Sequence, residues 1–374
     1  MGILSTIGDI AGSLGKAAGG VIGTVVGGPA GSAIGAGIGD KVGNFLDGAL
    51  DKIDGGNKGI GEAVGDIAGK IVSGEQNGPL GDLLGGGALD AIGNAGKQLG
   101  NIIGQQSHNI NGTAGNDVLH GTANNDTING LAGHDRINGA GGNDKINGGD
   151  GNDWLHGGAG DDIVKGGIGN DVVKGDAGHD QLFGGAGNDK LYGGHGNDVL
   201  KGGQGADTLS GDHGSDWLYG GQGNDKLYGG EGADYLYGGQ GVDYLHGGQG
   251  NDRLTGGIGA DVLTGGQGRD VFDFNSIADS PANGKADLIT DFQKGADKID
   301  LSTIDANMGK AGNQAFEFVQ YDPSKPLQAG QVTAHYDAQL GKTIVEAGVD
   351  AMGGADMRIE LAGNVQLGAQ DFVL

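Results

Sequence analysis

From Gly112 onward the apolar residues fall at a fixed interval of one in nine. Eighteen units of nine run from Gly112 to Asp273 without an insertion or deletion. Position eight is apolar in every unit: Leu119, Ile128, Ile137, Ile146, Leu155 and so on to Phe272. Position six is aspartate in every unit, position one is always glycine, and position four is glycine in all but one. Gly184-Gly185-Ala186-Gly187-Asn188-Asp189-Lys190-Leu191-Tyr192 is a typical unit. Its last three residues predict a short strand, with position eight facing inward and positions seven and nine outward. The glycines supply the positive φ angles of a tight turn. Two units then make one coil of turn, strand, turn, strand. Nine such coils at ~4.8 Å each give a roll roughly 40 Å long.

The flanks follow other patterns. After 274 the nine-residue period is lost, and Met357-Arg358-Ile359-Glu360-Leu361 alternates apolar and polar as a half-buried strand does. Phe316 to Phe318 and Val332 to Tyr336 read the same way. Before 111, Gly15, Gly19, Gly23, Gly27, Gly31, Gly35, Gly39 and Gly43 stand four residues apart, and no charge interrupts the 23 residues between Lys16 and Asp40. Ile60, Val64, Ile67 and Ile71 then have helical spacing. A Gly-x-x-x-Gly stripe lets helix backbones approach closely, and Gly28-Pro29 divides the stripe into two helices. Helices this rich in glycine need partners: each other in a small bundle, further copies of the chain, or a bilayer. The predicted segments are 1–110, 111–273 and 274–374.

Charge sharpens this division. The chain has 374 residues, with 48 acids against 22 bases, a net charge of −26. Residues 111–273 alone hold 24 acids and 9 bases. Such a balance excludes a phosphate-backbone binder, so no nucleic-acid partner is expected, and it favours cations. With no cysteine, disulfides, thiol catalysis and cysteine-based metal sites are excluded. No secretory signal peptide is expected at the N-terminus, where a basic region is missing and Asp9 interrupts the apolar run.

One apolar side chain per nine residues cannot offset ~1–2 kcal/mol of backbone entropy per residue. The aspartates supply the remedy. Stacked coils set the position-six carboxylates in two files that repel unless divalent ions lie between them. Calcium takes six to eight oxygens from carboxylates and carbonyls, which glycine-rich turns offer. One ion per turn-to-turn gap gives about sixteen. The candidate metal ligands are Asp135, Asp144, Asp153, Asp162, Asp171, Asp180, Asp189, Asp198, Asp207, Asp216, Asp225, Asp234, Asp243, Asp252, Asp261 and Asp270. Asp117 and Asp126 are left out. Their units and the two that follow carry Thr113, Thr122, Leu131 and Ala140 at position two, and Asn124 replaces a position-four glycine. Degenerate terminal repeats cap a stack, so weak or missing sites are expected there.

The repeat, written G-G-x-G-x-D-x-U-x, resembles that of the RTX (repeats-in-toxin) secreted proteins. Asp287-Leu288-Ile289-Thr290-Asp291-Phe292 and Lys294 to Ser302 resemble the C-terminal domain of serralysin-type proteases. The ending Asp371-Phe372-Val373-Leu374 resembles an uncleaved type I secretion signal, and it also reads as a closing strand. The fold expected is mainly β: a parallel β-roll with a glycine-rich α-helical N-terminal region, similar to the glycine-zipper hairpins of membrane-active bacteriocins, and a β-rich C-terminal cap. The resemblance implies export through a type I ABC transporter to the cell surface or medium. The sequence has neither a His-Glu-x-x-His pair nor a Gly-x-Ser-x-Gly elbow, so no enzyme is expected.

Trp217 and Tyr219 precede Tyr235 and Tyr237 by one coil, so the four should share a face, with Tyr228, Tyr244 and His246 on the other. They either stiffen the roll by cross-strand pairing or form a partner-binding patch. The leading expectation is a self-assembling or adhesive extracellular matrix protein of the kind found in biofilms, a homo-oligomer or filament folded by calcium. The alternative is a membrane-active toxin or bacteriocin acting through residues 15–43.

Overall fold

The computed structural model describes residues 108–350 and 353–374. The zipper stripe, residues 15–43 and the rest of the predicted helical region lie outside the described residues. Within them the chain forms strands from β1 (Asn109–Asn111) to β26 (Phe372–Val373), with one 3-10 turn at Ala369–Asp371.

Each nonapeptide from the third strand on is longer in strand than the sequence suggests. β10 (Lys190–His195) takes positions seven to nine of one unit and positions one to three of the next. The turn proper shrinks to positions four to six. It is closed by bonds to the next coil, such as the Gly196 N–H to the His213 carbonyl at 2.9 Å. The glycine pair therefore lies inside the sheet, because bare backbone is what the stacking requires there. A methyl on Gly185 would come within 2.1 Å of the Gly167 carbonyl oxygen one coil below.

Through the repeats, from β1 to β19, odd-numbered strands pair with odd and even with even, all parallel, in strict 18-residue register: Leu191 sits against Leu209 and Val173. Two sheets result, of 12 and 14 strands. Between them the position-eight residues form a double file that is fully buried from Ile128 to Phe272, while Leu119 at the N-terminal end is only partly covered.

Both sheets continue past the last repeat. β18 (Val262–Gln267) pairs with β20 (Asp287–Ile289), which pairs with β25 (Met357–Ala362). β25 then meets β24 (Lys342–Gly348) and β23 (Gln331–Asp337) in antiparallel order. On the other face β19 (Val271–Asp273) pairs with β21 (Lys298–Asp300), and β21 with β26. Phe272, Ile289, Ile299, Ile359, Leu361 and Phe372 carry the apolar file to its end. Arg253 pins the junction, with its guanidinium 2.7 Å from Asp273 and 2.9 Å from Asp300.

Candidate metal centres

The position-six aspartates stand at the two edges of the roll, where each strand enters from its turn. One oxygen of each belongs to the backbone. The Asp189 N–H donates to Oδ1 of Asp207 one coil on, at 2.8 Å, and the Asp207 N–H donates likewise to Asp225. The bond recurs along both edges. It exists because the N–H at position six points along the roll axis and needs an acceptor.

The other oxygen has no protein partner. In all sixteen aspartates from Asp135 to Asp270, Oδ2 is buried and accepts no hydrogen bond. Every one of these residues is 3% exposed or less. The space beside Oδ2 is made by the position-one glycine. An added methyl on Gly184 would lie 2.4 Å from Asp189 Oδ2 and 2.6 Å from the Gly202 carbonyl oxygen. At Gly202 the corresponding oxygens are Asp207 Oδ2 at 2.3 Å and the Gly220 carbonyl at 2.6 Å. An anionic oxygen and a carbonyl oxygen from the neighbouring coil thus face one gap, and a side chain there would fill it.

Burial raises the carboxyl pKa of Asp171, Asp180, Asp207 and Asp216 to about 7, and the neighbouring aspartates push the same way against the lowering effect of the backbone N–H bond. Near neutrality these groups therefore need either protons or a cation. Among the described residues there is no cluster of three or more His, Cys, Asp or Glu side chains suited to a metal. A site here has to draw on main-chain carbonyls, which suits a hard cation such as calcium and not zinc or copper.

The first two repeats are built differently. Asp117 Oδ2 accepts the Thr113 N–H at 2.6 Å and its hydroxyl at 3.0 Å. Asp126 Oδ2 is met the same way by Thr122, at 2.7 and 3.0 Å. The threonines that replace position-two glycine supply the donors that the later repeats lack. Spacing alone shows the missing glycines but not the bonds the threonine hydroxyls make. Leu131 and Ala140 instead keep the left-handed backbone, with φ of 82° and 78°, and leave Asp135 and Asp144 open. Asp176 and Asp212 also replace position-two glycine, with φ of 74° and 71°.

The outward aromatics sit in the predicted files. Trp217 stacks on Tyr235 with ring centres 4.5 Å apart, and Tyr219 meets Tyr237 at 6.5 Å. Tyr228 and Tyr244 meet on the other sheet at 6.0 Å. Trp217, Tyr235 and Tyr237 remain nearly half exposed.

Residues 111–146, 138–173, 147–182, 174–209, 210–245 and 237–272 each match four copies of the RTX calcium-binding nonapeptide repeat. Together the matches span 111–272, so this segment consists of calcium-binding RTX repeats and its metal is calcium. Two solved structures are similar, both of subunits of the Azotobacter vinelandii mannuronan C5-epimerase. AlgE6R3 is 28% identical, with 41% of this chain and 78% of that one covered and a TM-score of 0.31. AlgE6R2 is 27% identical, with coverages of 46% and 90% and a TM-score of 0.30.

Proposed function

We propose that this chain is an exported protein whose roll folds only where calcium is plentiful, and that the folded roll serves as a self-assembling or adhesive element outside the cell. The observation that carries the reading is the row of sixteen buried Oδ2 atoms without a partner. Leaving a buried carboxylate unpaired is costly, and here the cost recurs at every half-coil. When bound, calcium supplies the positive charge that these oxygens and the glycine carbonyls require. The protein's own part is to hold one oxygen of each aspartate by a backbone N–H, to keep the gap clear with a glycine, and to exclude water by stacking. Metal-binding free energy then becomes folding free energy.

A calcium-dependent fold suits passage through a type I transporter as an unfolded chain in low-calcium cytosol. The stacked Trp217–Tyr235 pair, with Tyr237 exposed beside it, supports an adhesive or assembling role, since contiguous exposed aromatics are uncommon on isolated proteins. Electron microscopy and light scattering of the full chain, with calcium and with chelator, test this. Ordered oligomers, sheets or fibres in calcium alone are expected; a monodisperse monomer under both conditions would remove the assembling role.

A further inference from the structure

The carboxylate files do not stop where the nonapeptides stop. On the edge that carries Asp225, Asp243 and Asp261, the next aspartate arrives 26 residues on instead of 18. β20 pairs with β18 so that Leu288 lies against Val262 and Ile289 against Leu263, and this seats Asp287 beside Asp261. The Asp261 N–H donates to Asp287 Oδ1 at 2.8 Å, the same bond at the same length that the Asp243 N–H makes to Asp261. The Asp287 N–H is itself held by Ser280 Oγ at 2.8 Å. Asp287 is fully buried, and its Oδ2 has no hydrogen-bond partner. The charged groups that face it are Asp261, Asp279 and Asp243, all acidic.

The other ends of the two files are sealed. Asp297 continues the second edge, 27 residues after Asp270, and takes the Asp270 N–H on Oδ1 at 3.1 Å. Its Oδ2, however, accepts the Gln293 N–H at 2.7 Å. At the N-terminal ends, Thr113 and Thr122 close Asp117 and Asp126. Three of the four ends thus meet a protein donor, and only Asp287 presents a buried carboxyl oxygen that no protein donor meets.

We propose that Asp287, together with Asp261, holds a further hard divalent cation, calcium, beyond those of the nonapeptides. The site deepens the reading that the repeat cradles hold calcium and rests on it. Neither nine-residue periodicity nor the repeat motif includes Asp287, and its place in the file comes from the sheet register alone. Two neighbouring buried carboxyl oxygens that no hydrogen-bond donor meets suit a hard divalent cation such as calcium.

The direct test is a crystal structure of the full chain grown in calcium, with ions located by their anomalous scattering. An ion bonded to Asp287 Oδ2, alongside ions at Asp189 and Asp207, is expected. Ions in the repeats with none at Asp287 would overturn this proposal alone, whereas no ion at any position-six aspartate would overturn the reading beneath it as well. In solution, flow dialysis should count one calcium fewer for Asp287→Asn than for the native chain and an unchanged number for Asp297→Asn. Circular dichroism in saturating calcium checks that each variant folds. Equal counts for Asp287→Asn and the native chain would contradict the proposal, and if that variant does not fold, the native crystal structure decides.

Discussion

Asp207 serves two masters: its Oδ1 takes the backbone N–H of Asp189 at 2.8 Å, while its Oδ2 lies buried with no donor at all. The first contact stacks the coils and is made by the protein alone. The second remains incomplete without a cation or a proton. Most of the behaviour expected of this chain follows from that division.

Central and terminal aspartates should respond differently to removal. Asp189→Ala deletes an open oxygen and should reduce the number of calcium ions bound, shifting calcium-induced folding to higher concentration. Asp126→Ala deletes a carboxylate already met by Thr122, so it should leave the ion count unchanged. Its cost is the loss of an acceptor for the Thr122 N–H and hydroxyl and for the His108 N–H, about 1–3 kcal/mol for each donor left buried and unpaired. Calorimetric titration of the two variants distinguishes them, and equal losses of bound calcium would show that the threonines do not seal the first repeats.

Acid should act in opposite directions with and without the metal. Burial lifts Asp162, Asp171, Asp180, Asp207, Asp216, Asp252 and Asp261 to about 7, against about 4 in an unfolded chain. A carboxyl raised in the folded state stabilises that state below pH ~4 and loses this contribution as pH rises through ~7. The metal-free roll should therefore gain β structure as pH falls from 8 to 5. With calcium present, protons compete for the same oxygens, so the calcium midpoint should rise over that range. Far-UV circular dichroism in chelator and in calcium buffers checks both signs, and a metal-free spectrum independent of pH would contradict the burial of these groups.

Filling a cradle should mimic losing its ligand. Gly202→Ala places a methyl 2.3 Å from Asp207 Oδ2 and 2.6 Å from the Gly220 carbonyl. Overpacking of this kind costs about 1–3 kcal/mol, and here it should also cost one bound ion. Gly115→Ala meets nothing closer than Thr113 Oγ1 at 3.7 Å and should stay within about 0.5 kcal/mol of the native chain. Melting temperatures in calcium compare the two.

Arg253→Met should loosen the end of the roll without touching its metal. The substitution leaves the buried Asp273 and Asp300 without their guanidinium partner, a loss of about 1–3 kcal/mol. Thermal unfolding in saturating calcium should occur earlier, with the same number of ions bound. An unchanged melting curve would mean that the two sheets hold residues 274–374 in place unaided.

The nine-residue period makes much of this legible in the sequence. A residue that recurs every nine positions repeats its environment, so Asp189 and Leu191 could be assigned an edge and a core from spacing alone. What stayed hidden lies where spacing fails. Thr113 and Thr122 looked like mere losses of glycine, because a hydroxyl that bonds a carboxylate four residues on leaves no periodic trace. Asp287 and Asp297 stand 26 and 27 residues beyond their neighbours in the files, and only the parallel register of β18 with β20 and of β19 with β21 brings them into line. The strands are longer than the pattern suggests for a related reason. Glycine pairs usually mark turns, but in this roll bare backbone is what allows one coil to stack on the next.

At neutral pH the roll should have no stable fold until calcium occupies its edges. A calcium titration of the full chain at pH 7.5, starting in chelator and followed by far-UV circular dichroism, tests it most directly. Little β structure is expected in chelator, because a thin core and a net charge of −15 over 111–273 cannot hold a compact state. A cooperative rise should follow as calcium is added, and chelator should reverse it. Full β content in chelator, unchanged by calcium, would show that the roll folds without its metal.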